Sequence, residues 1–230
     1  MLLKTFQVFQ LRMDLAKRVA ACLDKAKKFN TKLTPDIMNI DGMSGFKTRI
    51  FYNEICSMEF DGRDTEYLEV GTWKGSTLCS ALYENPKCRG TAIENWSLFG
   101  GPRDEFEDNL KRFNLTDRVQ IIEEDIFKFD ISKLTKPVDV YLYDGDHDEI
   151  NQYKGITHMW AALADQAIIM VDDWNWPGVR KGTLDGLRDV GANVIEKFEI
   201  KHTDNDAHTP LPTAHKEFWN GIGIFVISKI

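Results

Sequence analysis

Hydrophobic positions recur at helical intervals over residues 4–29, where Phe6, Phe9, Leu11, Met13, Leu15, Val19, Ala20 and Leu23 stand among lysines. The spacing predicts an amphipathic helix that packs on the domain or on a partner subunit. Residues 30–60 are mixed. Thr34-Pro35-Asp36 opens a short helix or turn, 41–45 is a glycine-bearing loop, and Ile50, Phe51, Ile55 and Cys56 restore a helical period over 46–58. From residue 66 the pattern changes. Short apolar runs at 66–70, 90–94, 119–123, 138–143, 167–171, 193–200 and 222–228 are separated by helical patterns at 76–85, 103–113, 148–163 and 179–190. Repeated strand–helix units predict an α/β domain at 61–230, with a mostly parallel sheet covered on both faces, behind a helical extension at 1–60.

Ligands of such sheets sit at the carboxyl ends of the strands, so the residues just after each run carry the information. The first run ends in Glu69, then Gly71, Thr72, Trp73, Gly75, Ser76 and Thr77. A strand that breaks at glycine and feeds a helix brings bare backbone close to a ligand, although the same turn also serves tight packing. The second run ends in Glu94, Asn95 and Trp96, the third in Glu124, Asp125 and Ile126, the fourth in Asp144 and His147, and the fifth in Asp172 and Asp173. Each acid alone could cap a helix or close a turn. Five at one edge are costly without a cation or a hydroxyl-rich ligand.

Glu94, about 20 residues after the glycine turn, suits two hydrogen bonds to a ribose diol. Asp125 could accept from an adenine amino group. Trp96 or Ile126 could sandwich the ring, and core packing explains Trp96 about as well. Asp144, Asp172 and Asp173 are hard oxygen donors suited to Mg²⁺, with capping as the rival explanation for Asp144 and Asp173. His147, three residues past Asp144, could deprotonate a hydroxyl or simply cap a helix. His158, His202, His208 and His215 have weaker claims.

Composition narrows the classes. The chain has 230 residues, is 43% hydrophobic and 28% charged, and carries a net charge of −7. This is a soluble globular composition, and the negative balance argues against nucleic-acid binding by charge neutralisation. No apolar run approaches a membrane span, and the first residues lack a secretory pattern. Cys22, Cys56, Cys79 and Cys88 are scattered, as free thiols of a reducing compartment would be, so the cytoplasm is the expected location.

Taken together, residues 67–77, 92–96, 124–126, 143–147 and 171–174 resemble the class I S-adenosylmethionine-dependent O-methyltransferases. The similarity is greatest to the metal-dependent branch with catechol-type and macrolide-sugar enzymes. The stretch Gly42-Met43-Ser44-Gly45-Phe46-Lys47-Thr48-Arg49 also resembles the segment before the first strand in bacterial members. The resemblance covers about residues 40–230 and implies a Rossmann-like seven-stranded sheet of order 3-2-1-4-5-7-6 with strand seven antiparallel. It implies a methionine-side turn at Glu69, Gly71 and Gly75, and a carboxylate contact at Thr77 with Ser76. It further implies ribose binding at Glu94, an adenine contact at Asp125, a metal triad of Asp144, Asp172 and Asp173, and a general base at His147. Trp73 departs from the common glycine pattern, and Asp173 stands where catechol enzymes have Asn.

The expected activity is methylation of a hydroxyl on a small sugar or catechol-like diol, assisted by a divalent cation. The long connection 201–219 is a candidate substrate wall or lid, with an oligomer contact or a disordered hairpin as alternatives, and Trp174, Trp176 and Arg180 lie where an acceptor could bind. A homodimer through the N-terminal helix is compatible with the pattern. Two other classes remain. A nicotinamide-dependent oxidoreductase would carry Gly-x-Gly-x-x-Gly, which is absent. A non-catalytic adenosyl-binding or assembly module would keep Glu69, Gly71 and Glu94 with no use for the aspartates.

Overall fold

A computed structural model describes residues 2–60 and 62–229, with side chains from residue 14 onward. Helix α1 (Leu2–Lys27) buries Leu15, Val19, Cys22, Leu23 and Ala26 at intervals of three and four, as an amphipathic helix should. The side chains of Phe6, Phe9, Leu11 and Met13 lie outside the described residues. Helix α2 (Pro35–Met38) starts on proline, and α3 (Phe46–Cys56) packs against α1. No helix among the described residues is long and apolar enough to cross a membrane.

The sheet contains β1 (Thr65–Val70), β2 (Cys88–Ile93), β3 (Val119–Ile122), β4 (Val138–Tyr143), β5 (Leu163–Asp172), β6 (Asn193–Ile200) and β7 (Ile222–Ser228). Its order is β3-β2-β1-β4-β5-β7-β6, and β7 runs antiparallel between β5 and β6. This is the topology implied by the resemblance. Helices α4 (Ser76–Leu82), α5 (Arg103–Arg112), α6 (Glu149–Met159) and α7 (Pro177–Asp189) connect the strands.

Strand alternation divides the core between the two faces. Tyr67, Val140 and Leu142 join the core shared with α1, α3 and α4, whereas Leu68, Val70, Tyr141 and Tyr143 join the core beneath α6 and α7. Strand β5 begins four residues before the apolar run at 167–171. Pairing of Leu163 with Val138 of β4, and antiparallel pairing with β7 from Gln166 with Ser228 onward, extend it beyond what its hydrophobicity signals. The connection 201–219 is not structureless. It holds α8 (Leu211–Lys216), and Lys47 of α3 bonds the Glu217 carboxylate that follows it at 2.7 Å.

Candidate active site

The first turn of the site is shaped by close backbone approach. Gly71 has φ 85°, and a Cβ there would lie 1.9 Å from the Asp144 carbonyl oxygen. The β1–α4 turn and the end of β4 can touch because this residue has no side chain. Gly75 (φ 80°) serves packing instead, since its missing Cβ would lie 2.7 Å from the Phe106 ring.

A cavity of about 820 Å³ opens at the carboxyl ends of β1, β2, β4 and β5. Gly71, Thr72, Trp73, Ser76 and Thr77 form one wall of it. Glu94, Asn95, Trp96, Asp125 and Ile126 form a second, and Asp144, His147, Asp172 and Asp173 a third. Two residues expected at the ligand are set back. Gly75 lies behind the turn. Glu69 is fully buried, its carboxylate accepting from Thr77 Oγ1 at 2.6 Å and from Tyr67 Oη. Burial pushes the Glu69 carboxyl up to about 7, with those two hydrogen bonds pulling the other way. Glu69 is therefore a buried brace that fixes α4 against β1, and it takes the Thr77 hydroxyl with it.

Glu94 joins the first two walls. Its oxygens accept the backbone N–H of Trp73 at 3.2 Å and of Trp96 at 2.9 Å. Both tryptophans have left-handed backbone, φ 45° and 47°, which is costly for a bulky side chain and persists where the surroundings enforce it. Trp96 Nε1 also donates to the Trp73 carbonyl at 3.0 Å, and its ring packs on Phe106. Asp125 accepts from the Phe127 amide at 2.9 Å and so closes its own turn at the cavity edge.

The third wall collects charge. His147 Nε2 lies 3.3 Å from Asp173 Oδ2 and 3.9 Å from Asp144 Oδ1, and Gln152 Nε2 lies 3.4 Å from Nδ1 of the same ring. Burial first, and then repulsion among these carboxylates, pushes Asp144 and Asp172 well above the usual range. Asp172 is the more enclosed; the Asp144 side chain keeps 23% exposure, so water softens the same push. Asp173 is also raised by burial, while His147 draws it down. Asp172 Oδ1 and Asp173 Oδ1 are buried with no hydrogen-bond partner. Among the described residues, however, no three His, Cys, Asp or Glu side chains are gathered in an arrangement that could hold a metal ion. The three-carboxylate cage expected from the sequence is thus not found among the described residues.

Residues outside the strand ends complete the cavity. Ser44 and Met43 reach it from the loop before α3, and His208, Trp219 and Asn220 from the β6–β7 connection. The Trp176 ring stands edge-on to His147 at 5.3 Å and to His208 at 5.0 Å, so the connection does form a wall of the cavity. Of the other residues expected near an acceptor, Trp174 is core, donating to Glu199 at 3.0 Å. Arg180 holds the Trp174 carbonyl and Asp206 at 2.9 Å each, outside the cavity lining. His158, His202 and His215 are engaged elsewhere, with Phe129, Phe218 and Trp219. Neither strand nor helix periodicity could have singled out Ser44 or His208.

Residues 68–174 match the family model of the methyltransferase domain. No curated protein matches the chain. Cofactor-bound Rv0187 from MTB is similar in structure at 15% identity and a TM-score of 0.58, covering 94% of this chain and 91% of that one. The O-methyltransferase TomG from Streptomyces achromogenes, in complex with SAM, shares 12% identity at a TM-score of 0.56 over 92% and 90%. An O-methyltransferase from Bacillus cereus, in complex with SAH, shares 13% at 0.54 over 93% and 91%. At these identities the likeness is one of fold.

Proposed function

We propose that this chain is an S-adenosylmethionine-dependent methyltransferase that acts on a hydroxyl of a small sugar or catechol-like acceptor. One observation carries the reading: a single cavity joins the Glu94-clasped turn to the His147–Asp173 pair. When bound, the sulfonium cofactor supplies an electrophilic methyl group, which a correctly aligned oxygen receives by in-line displacement. The chain's own residues do the rest. Glu94, Trp96, Asp125 and Ile126 hold the nucleoside end. Trp176, His208, Trp219 and Asn220 enclose the acceptor side and exclude water. The His147–Asp173 pair takes the proton that the acceptor hydroxyl releases, at the Nε2 edge that faces the carboxylates.

A divalent cation is the finer part of the proposal. The orphaned oxygens of Asp172 and Asp173 favour it, since they are hard donors left without partners. Asp172 and Asp173, a pair rather than the three-carboxylate set expected from the sequence, would hold it, and it would lower the pKa of the acceptor hydroxyl.

Calorimetry of the whole chain with S-adenosylmethionine and with NAD tests the reading. The expected result is binding of the adenosyl ligand alone. Binding of NAD without it overturns the proposal. A methylation screen across vicinal diols, simple alcohols and amines then tests the acceptor class, and transfer to amines but not hydroxyls overturns that part.

A further inference from the structure

Leu98 and Phe99 are the most exposed large hydrophobic residues among the described residues, at 68% and 69%, yet both line the cavity. A single exposed apolar side chain is ordinary on a protein surface. Two adjacent ones at the rim of a ligand-sized cavity are different, because a seated ligand would give them something to cover.

The segment that carries them, between β2 and α5, has fixed ends and a lightly held middle. Before it, Trp96 is buried and its Nε1 donates to the Trp73 carbonyl. After it, Pro102 is buried and leads into α5, whose Phe106 is wholly buried. Between these anchors Phe99, Gly100 and Gly101 have φ 49°, 84° and 60°, all left-handed. That conformation is costly for Phe99. A Cβ on Gly100 would meet nothing within 4 Å, so this glycine serves the backbone turn and not a close approach. The Leu98 carbonyl accepts the Gly101 amide at 3.1 Å, which closes the turn. The Phe99 carbonyl accepts Trp73 Nε1 at 3.1 Å, which ties the turn to the cavity wall. Glu94 clasps the Trp73 amide in turn, so the tie runs to the wall that would hold the nucleoside end.

We infer that residues 97–101 form a lid, hinged at Gly100 and Gly101, that brings Leu98 and Phe99 over the ligand in the cavity and sets how fast it leaves. Closure takes two large apolar side chains out of water and shields the ligand beneath them. The Trp73–Phe99 hydrogen bond keeps the turn at the rim, so the side chains have only a short way to move. The occupant is the cavity's own ligand. Arg103, two residues past the glycines, is paired with Glu107 and Glu123, so the apolar pair is followed at once by charge. A stable protein interface would need a wider apolar centre. The inference rests on the adenosyl reading proposed above.

Hydrogen exchange and stopped-flow release of S-adenosylhomocysteine, both on the full chain, test it. Saturating ligand is expected to slow exchange of the 97–101 amides roughly tenfold. Leu98→Ser combined with Phe99→Ser should speed release roughly tenfold and change the association rate less than twofold. Both side chains are exposed, so the double variant is expected to melt with the wild type. Ligand binding with exchange in 97–101 unchanged, or release no faster in the double variant, overturns the lid and leaves the adenosyl reading standing. Protection that follows protein concentration instead of ligand assigns the pair to a second copy of the chain and also overturns the lid. Failure of the wild-type protein to bind the ligand overturns both.

Discussion

His147 Nε2 stands 3.3 Å from Asp173 Oδ2, across the gap between the ends of β4 and β5. The two residues act as one unit in the proposed proton transfer, so their losses should not add. His147→Ala is expected to lower turnover about 10²- to 10⁴-fold with adenosyl binding unchanged. Asp173→Ala should cost a similar factor, and the double variant little more than the worse single one. Release of S-adenosylhomocysteine with an acceptor from the diol screen measures this. Near-normal turnover in His147→Ala removes the base from the mechanism.

The two buried carboxylate oxygens without partners bear on the cation. Millimolar Mg²⁺ should raise the melting temperature of the wild-type protein by a few degrees, on the order of 1–2 kcal/mol of linkage. Asp172→Asn and Asp173→Asn should abolish the shift. A melting curve indifferent to Mg²⁺, with turnover unchanged by a chelator, takes the metal out of the proposal.

Glu94 has two structural bonds to keep before any ligand arrives. Glu94→Gln keeps one acceptor oxygen and cannot accept at the other, so the amide of Trp73 or of Trp96 loses its partner. We expect adenosyl affinity to fall about tenfold or more, and tryptophan fluorescence to report the loosened turn. Unchanged affinity and fluorescence would mean that the clasp is incidental.

Glu69 makes stability depend on pH. Its folded pKa, about 7, lies above the ordinary 4.5, so the folded state holds the proton more tightly than the unfolded one. The sign follows: the contribution is full below 4.5 and is lost as pH rises to about 7, on the order of 3 kcal/mol in all. Asp144 and Asp172, also raised, add to the same trend. Glu69→Gln should therefore flatten the decline in denaturation free energy between pH 4.5 and 7 without removing it. A profile as steep as the wild type's places the effect elsewhere.

Much of the site was legible because a parallel sheet obeys a local rule. Whatever follows each strand arrives at one edge, so Glu94, Asp125, Asp144, Asp172 and Asp173 could be gathered from hydrophobic runs alone. The seven-stranded order followed from the resemblance, and β7 pairs as expected. Alternation also held a clue to Glu69. It shares a strand face with Tyr67, which packs under α4, so its carboxylate turns towards that face, behind the cavity lining.

By itself, then, the sequence determined the seven strands and the principal helices, the edge at which chemistry collects, and the residue types available there, since these depend on periods of two and 3.6 residues and on turn chemistry. The tertiary structure decided partnership. It gave the Thr77 hydroxyl to Glu69, set Arg49 behind Ser44 and Ser76, and brought His208 and Asn220 to the cavity from a connection whose helix α8 begins among prolines. Those pairings join residues from 5 to more than 30 positions apart. They depend on which faces pack against which, and no local period of the chain encodes that.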